Sequence, residues 1–466
     1  MKALFLFLLV LLSGCAPSIR QGPALSERIA MPASGPIHGL KRGAALPQNW
    51  WEGFRDPELD DLVKIALANN PSLSEAKERL NRAKAIVTET GAYRYPHLGS
   101  VGRISRQRLS LNGNHTIYNG KTATIFDLFP VSIDYDLDLW GREEEISAAS
   151  RASEMTALAG YRQGALMLSS AVIRAYFSLV AANQSIEIMQ GIVALSGQEA
   201  ALYRAAQDAG VSPATPSVSA DARVHEEMEK LSLLKKNAES LRYALLELLG
   251  KQPGDALAIF ARLPLPEHFE IPEKIGLEVV SQRPDVQSAL WNVKAGRHLE
   301  KAARDAFYPN VNLFALTGLN SIGLQTLLGP GASTYAFGPA ISLPIFEGGA
   351  LRGRLAQRES EYAMAVQEYN RTLLHAARQI AEALSGMKHS RTRLEEGSAA
   401  LDLKDRKEKI ARSGYDSGIT GKLPYLEARI EMDRERLNHM EESLDWLNSL
   451  TNVATALGGG FGKWPS

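Results

Sequence analysis

Two kinds of apolar spacing divide this chain. Between residues 129 and 139, Phe129, Val131, Ile133, Tyr135, Leu137 and Leu139 alternate with Ser132, Asp134, Asp136 and Asp138. Tyr335, Phe337, Ile341, Leu343 and Ile345 repeat the trend with small residues between them. Period two predicts strands with one apolar and one polar face. A barrel strand between lipid and a wet lumen needs that pattern, and so does a soluble hairpin packed on helices. About 9–11 residues suffice to cross a bilayer, so length does not separate the two.

Elsewhere the spacing is three and four. Leu158, Tyr161, Ala165, Leu168, Val172, Ala175, Leu179, Ala182, Ile186, Met189 and Val193 form a sustained seam, and Leu231, Leu234, Ala238, Leu241, Leu245 and Leu248 form another. Such a seam keeps one helical face toward a partner helix as both wind. No proline falls between Gly141 and Gly210. A helix of about 65 residues reaches roughly 100 Å, too long for the core of an ordinary globule.

The chain also repeats itself. Asn70-Pro71 opens a helical segment that closes at Tyr95-Pro96, and Arg283-Pro284 opens one that closes at Tyr308-Pro309. Pro71 and Pro284, Ala76 and Ala289, Tyr95 and Tyr308 align without a gap. Each Tyr-Pro is followed by two strand-like stretches, a glycine (Gly141, Gly348) and a long helical pattern. Each long pattern breaks once, at Gly210-Val211-Ser212-Pro213 and at Gly418-Ile419-Thr420-Gly421. The prediction is two copies of helix, hairpin, long helix, turn, long helix. The first repeat covers 49–260, with a hairpin at about 97–139 and long helices at about 141–249. The second covers 261–458, with a helix at about 284–307, a hairpin at about 310–346 and long helices at about 349–458. In the first repeat, Asp56 can cap a helix with Pro57 at its first position.

The start of the chain sets the compartment. Lys2, the apolar run Ala3 to Leu12 and then Leu12-Ser13-Gly14-Cys15 have the order of a secretory signal over 1–14. That run is too short to span a bilayer, and no later stretch is apolar throughout for 18 residues. Cys15 is the one cysteine in the chain. It cannot form an internal disulfide, and its place at the cleavage point marks it for lipidation. Residues 15–48, rich in Pro, Gly, Ala and Ser, read as a tether from that lipid, and 459–466 as a C-terminal tail. Lys and Arg number 52 and so do Asp and Glu. The balance argues against a nucleic-acid partner, which usually demands a basic surplus.

Catalytic signals are poor. The nine histidines are scattered, with no His-Glu-x-x-His. Gly458-Gly459-Gly460-Phe461-Gly462-Lys463 lacks the Ser or Thr that a phosphate loop places after lysine; Trp464 follows. No enzyme, metal or cofactor is expected beyond the covalent lipid on Cys15. Two classes remain: a passive export duct, and a coiled-coil lipoprotein that scaffolds the envelope without a pore. Paired amphipathic hairpins favour the duct. One chain supplies about four strands, too few to close a barrel, and open edges are not tolerated in lipid. Three chains supply about twelve, enough for a lumen.

Taken together, the chain resembles the TolC-type outer-membrane factors, specifically the lipidated branch serving resistance-nodulation-division pumps. The marks are Leu12 to Cys15; Trp50-Trp51, Phe54 and Asp56-Pro57-Glu58-Leu59; Asn69-Asn70-Pro71-Ser72-Leu73; the two Tyr-Pro junctions; Asp138-Leu139-Trp140-Gly141-Arg142; Pro344-Ile345-Phe346-Glu347-Gly348-Gly349; and Ser413-Gly414-Tyr415 with Gly418. The resemblance implies a mainly helical fold with membrane β: a homotrimer whose barrel of about twelve strands continues as a long α-helical barrel through the periplasm. It implies a lipid-anchored protein of the outer membrane that partners a periplasmic adaptor and an inner-membrane transporter. Service to a protein-secretion exporter is the alternative within the duct class. The resemblance also places Glu427 in an acidic ring at the periplasmic aperture, Leu423 in an apolar position one turn earlier, and Tyr415 with Gly418 and Gly210 at the helical tips. Pro424 departs from the family pattern, and Pro213 and Pro216 stiffen the first turn.

Overall fold

The computed structural model describes residues 22–26, 40–43, 46–112, 119–259, 261–264, 266, 269–272 and 275–460. The signal peptide, Cys15, most of the tether, residues 113–118 between the first two strand-like stretches, and residues 461–466 lie outside the described residues. The described residues form two compact units, one from the ranges 1–25, 79–158 and 288–370, the other from 26–78, 159–287 and 371–466.

The elements run β1 (Leu40–Gly43), a 3-10 turn (Trp50–Phe54), α1 (Pro57–Asn69), α2 (Pro71–Ala92), β2 (His97–Arg108), β3 (Thr122–Leu137), α3 (Arg142–Asp208) and α4 (Ala214–Leu248). There follow β4 (Phe269–Pro272), α5 (Leu277–Val280), α6 (Pro284–Asp305), β5 (Asn310–Ile322), a 3-10 turn (Leu324–Thr326), β6 (Ser333–Ser342), α7 (Ala350–Asp416) and α8 (Lys422–Ala456). The duplication holds in helix length: α2 and α6 have 22 residues each, α3 and α7 have 67, α4 and α8 have 35.

In the unit without the large sheet, local chemistry starts each element. Asp56 caps α1 by accepting the backbone N–H of Glu58 and Leu59 at 3.0 and 3.2 Å, with Pro57 at the first position. Leu59, Leu62, Val63 and Ala66 then bury one face, each large side chain contributing about 1.5–3 kcal/mol. The hydroxyl of buried Tyr176 donates to the other Asp56 oxygen at 2.8 Å. Trp50, Phe54, Phe177 and Phe269 stack edge-on or tilted around this joint. The strands β1 and β4 pair in parallel beside it. The residue before each internal helix ties the end of a long one: Asn70 Nδ2 donates to Leu248 O at 3.0 Å, and Arg283 Nη1 to Ala456 O at 2.6 Å.

Helix α3 carries the expected seam, every position of it buried or half-buried. A second and deeper stripe runs beside it through Ala159, Leu166, Ile173, Phe177, Val180, Ile192 and Ala200. Two stripes are needed because α3 packs between two helices: Met189 and Ile192 meet Leu231 and Leu234 of α4, and also Ile430 and Leu437 of α8. Among the described residues one window of α3 is long and apolar enough by composition to cross a membrane, and 67% of it is buried within the chain, as a helix packed between two others requires.

In the other unit, β2, β3, β5 and β6 form one antiparallel sheet in that order. The register slips by one residue at Phe129-Pro130, where Leu128 pairs with Leu319 but Val131 with Thr317. Such a bulge puts two residues opposite one, and that one is Gly318. A Cβ on Gly318 would lie 2.1 Å from Leu128 O.

Candidate functional site

The bulge decides which side chains share a face. Registered partners put Leu98, Ile104, Phe126, Leu128, Val131, Ile133, Tyr135, Leu313, Ala315, Tyr335, Phe337 and Ile341 on one side of the sheet. The extra residue transfers Phe129 to the opposite side, which corrects the unbroken alternation expected from sequence. Strand β3 also ends at Leu137, before Leu139 and Asp138. Asp138 is no strand residue: its carboxylate accepts the backbone N–H of Glu144 at 2.8 Å and caps α3. Leu343 and Ile345 likewise lie beyond the end of β6.

The opposite face carries His97, Arg103, Asp127, Ser132, Asp134, Asp136, Asn310, Asn312 and Asn320, interrupted by Val101, Ile125, Phe129, Phe314, Leu316 and Ile322. Its polar groups form a ladder across β3 and β5. Asn320 Nδ2 donates to Asp127 at 2.6 Å, and Asn312 Nδ2 to Asp134 and Asp136 at 3.1 and 2.9 Å. Asn310 Nδ2 donates to Asp136 at 3.0 Å. Where the strands meet the helices, a cavity of about 390 Å³ gathers Asp136, Asp138, Glu143, Asp305 and Glu347. Burial raises the Glu143 carboxyl against the pull of Arg142, and burial with nearby Glu145 raises Asp305. The indole of Trp140 stacks on Tyr308 at 4.8 Å and donates to Pro309 O at 2.8 Å. The second Tyr-Pro thereby receives the end of the first hairpin.

The other site residues lie at the two helical turns. After α3, Gly210 takes φ of 71° and donates to Gln207 O, while Val211 N–H reaches back to Ala206 O. After α7, Gly418 takes φ of 70° with the same pair of bonds, to Tyr415 O and from Ile419 to Gly414 O. Both are Schellman ends, in which glycine occupies the left-handed position. The Tyr415 ring stacks parallel on Tyr425 at 5.9 Å. Leu423 is half-buried and Glu427, one turn on, is exposed. Pro424 is the third residue of α8, and Pro216 is the third residue of α4. In a first turn the missing N–H has no helical acceptor to lose, so Pro424 is a property of both repeats and leaves the backbone of the second turn like the first.

Behind Glu427 stands a set of buried acids that sequence reading missed. Glu227 is 3% exposed, accepts Arg434 of α8 at 2.8 Å and pairs with Lys230 at 3.3 Å. Asp433, 5% exposed, holds Arg436 and Arg429, and Arg429 reaches Glu408 at 3.5 Å. A signal existed: Glu227 lies four residues before Leu231, in register with its seam. A carboxylate on a seam demands a cationic partner from the facing helix. Tyr425, the partner of Tyr415, was also missed.

A four-stranded antiparallel sheet with unlike faces and a duplicated pair of long helical hairpins are the parts of an outer-membrane channel subunit. The chain belongs to the outer membrane efflux protein family, whose model matches residues 62–251 and 278–459. It is 26% identical over 468 residues to the multidrug resistance outer membrane protein MdtP of Escherichia coli K12, covering 98% of this chain and 95% of that one. It is 26% identical over 455 residues to the toluene efflux pump outer membrane protein TtgC of Pseudomonas putida, covering 97% and 94%. The solved structure of the outer-membrane channel OprN has the same fold, with a TM-score of 0.83, 23% identity, and coverage of 96% of this chain and 99% of that one.

Proposed function

We propose that the protein is the outer-membrane duct of a tripartite efflux pump, passive, trimeric and lipidated at Cys15. The observation that carries this reading is the two-faced sheet with β2 and β6 at its ends. Its apolar side suits lipid and its Asn-Asp ladder suits a wet lumen. Three copies joining β2 to β6 give about twelve strands and leave no edge in the bilayer. The exposed apolar groups at those ends fit the same scheme. Tyr95 is 69% exposed, Ile345 90% and Phe346 89%. Trp140 on Tyr308 indicates how Ile345-Phe346 of one copy would seat on Tyr95-Pro96 of the next.

At the helical end, three copies of Glu427 would form an acidic ring with Leu423 beside it, attracting cations to the narrowest point. The Tyr415-Tyr425 stack would hold the closed tip, and a periplasmic adaptor with an inner-membrane transporter of the resistance-nodulation-division class would engage it. The chain's own part is a route, with no bond made or broken. The relatives named for multidrug resistance and toluene efflux support small molecules as the cargo. The test is single-channel recording in planar bilayers with heat-modifiable migration of the purified protein. A heat-labile trimer with resolved conductance steps is expected. A detergent-soluble monomer that never conducts would overturn the duct and leave the envelope scaffold.

A further inference from the structure

The apolar face of the sheet ends in two arginines, Arg106 and Arg108. Both are exposed. Their registered partners are Thr124 and Thr122 of β3, so two guanidinium groups and two hydroxyls share the lipid side of one rim. The rim is the far one, at the β2–β3 turn, away from the helices. Among the described residues neither arginine forms a hydrogen bond or an ion pair. The position is set by the bilayer. From Leu137 to Phe126 the bulge residue adds no rise, so β3 keeps step with Val311 to Ser321 of β5; at about 3.3 Å per step along a strand tilted by about 40°, that is roughly 25 Å of height. The outward apolar band of a membrane barrel is about 25 Å tall. Thr124, the next position on this face, and Arg106 opposite it therefore sit at the outer headgroup level. A cation pointing into lipid is costly at mid-membrane and nearly free at the interface, where it meets headgroup charge.

We propose that Arg106 and Arg108, with Thr122 and Thr124, bind the phosphate groups of an outer-leaflet glycolipid. Guanidinium matches phosphate oxygens two at a time, and the threonine hydroxyls add donors from the adjacent strand. Three copies in a ring would give three such sites around the external rim. The site rests on the membrane reading of the sheet, so the experiment separates the two. Purified protein is reconstituted into phosphatidylcholine vesicles, and insertion is scored first by flotation and protease protection. A protein that does not insert fails the membrane reading itself. For inserted protein, binding of bisphosphorylated lipid A and of enzymatically dephosphorylated lipid A is compared by native mass spectrometry. Two arginines near an anionic headgroup should favour the bisphosphorylated form by about thirtyfold. The double variant R106Q/R108Q should lose that preference while keeping its heat-modifiable trimer, and R106K/R108K should retain part of it. Should R106Q/R108Q not assemble, the wild-type preference and the lysine variant still decide the matter. Equal binding of both lipids, an unchanged preference in the glutamine variant, or displacement by millimolar inorganic phosphate would each overturn the assignment.

Discussion

The two helical hairpins share one backbone pattern and carry one cross-helix ion pair in opposite polarity. Positions 199 and 223 of the first repeat correspond to 407 and 431 of the second, at the offset that aligns α4 with α8. In the first, Arg223 donates to Glu199 at 2.6 Å; in the second, Lys407 donates to Glu431 at 2.8 Å. The polarity is reversed and the surroundings differ, the Glu199 side chain being 9% exposed and that of Lys407 56%. What the geometry of the hairpin fixes is a cross-helix pair at this level, with either sign on either helix. Below it the repeats part further. Tyr415, Tyr425, Leu423 and Glu427 stand where the first repeat has Gln207, Ser217, Thr215 and Ser219. The first turn offers a frame, and the second adds an aromatic stack and a free carboxylate to the same frame.

Charge reversal gives the largest expected effect. Glu199→Lys alone faces Arg223 with a like charge at a buried site and should cost about 3 kcal/mol. Adding Arg223→Glu restores the pair in the polarity of the second repeat and should return most of that loss in thermal unfolding. If the double variant is no more stable than the single, the equivalence of the two pairs is wrong. Next comes the tie between the hairpins. Arg434→Ala leaves buried Glu227 with Lys230 alone and should cost about 2 kcal/mol, with Glu227→Gln in the same background recovering part of it.

A third contrast is functional. Glu427→Gln should lower the cation preference of the reconstituted channel severalfold in reversal-potential measurements, while Ser219→Ala, its counterpart, should leave it unchanged. Removing the stack by Tyr425→Ala should cost about 1 kcal/mol and raise open probability. A smaller effect is expected from pH. Hydrogen bonds from Lys407 and Lys404 hold the Glu431 carboxyl below its ordinary value. A depressed carboxyl contributes stability above its unfolded pKa and loses it as pH falls through the folded one. Because the group is exposed, the contribution should stay under about 1 kcal/mol. Acid unfolding of Glu431→Gln, set against wild type below pH about 4.3, would show it.

Much of this frame was legible in sequence because its punctuation is local. Pro57, Pro71 and Pro284 start helices, Gly210 and Gly418 stop them, and long proline-free seams admit little else. The strand faces were legible only up to the bulge. Period-two reading assumes one residue per step; the cue to an extra one was Pro130, because a proline inside a central strand is accommodated at a bulge. The second stripe of α3 was hidden for a different reason. Its residues Leu166, Ile173, Val180 and Ile192 fall beside the heptad positions and merge with them in a one-face reading, although they bury more completely. Of the proposed site, Glu427 and Tyr415 came from resemblance. Glu227 and Tyr425 needed coordinates: the cation that Glu227 meets lies on a helix about 200 residues away in the chain, and the ring that Tyr425 meets lies across a turn.

The two open ends of the sheet carry a genetic consequence. A four-stranded sheet closes no barrel of its own, so in the proposed trimer the pore would be a property of three copies and belong to none singly. A variant with a damaged β2 or β6 edge that still enters assembly would spoil every ring it joins. In a cell making equal amounts of sound and damaged chains, only about one ring in eight would be free of the defect. Such alleles should therefore be dominant, whereas a chain truncated before the first hairpin, unable to enter a ring, should be recessive.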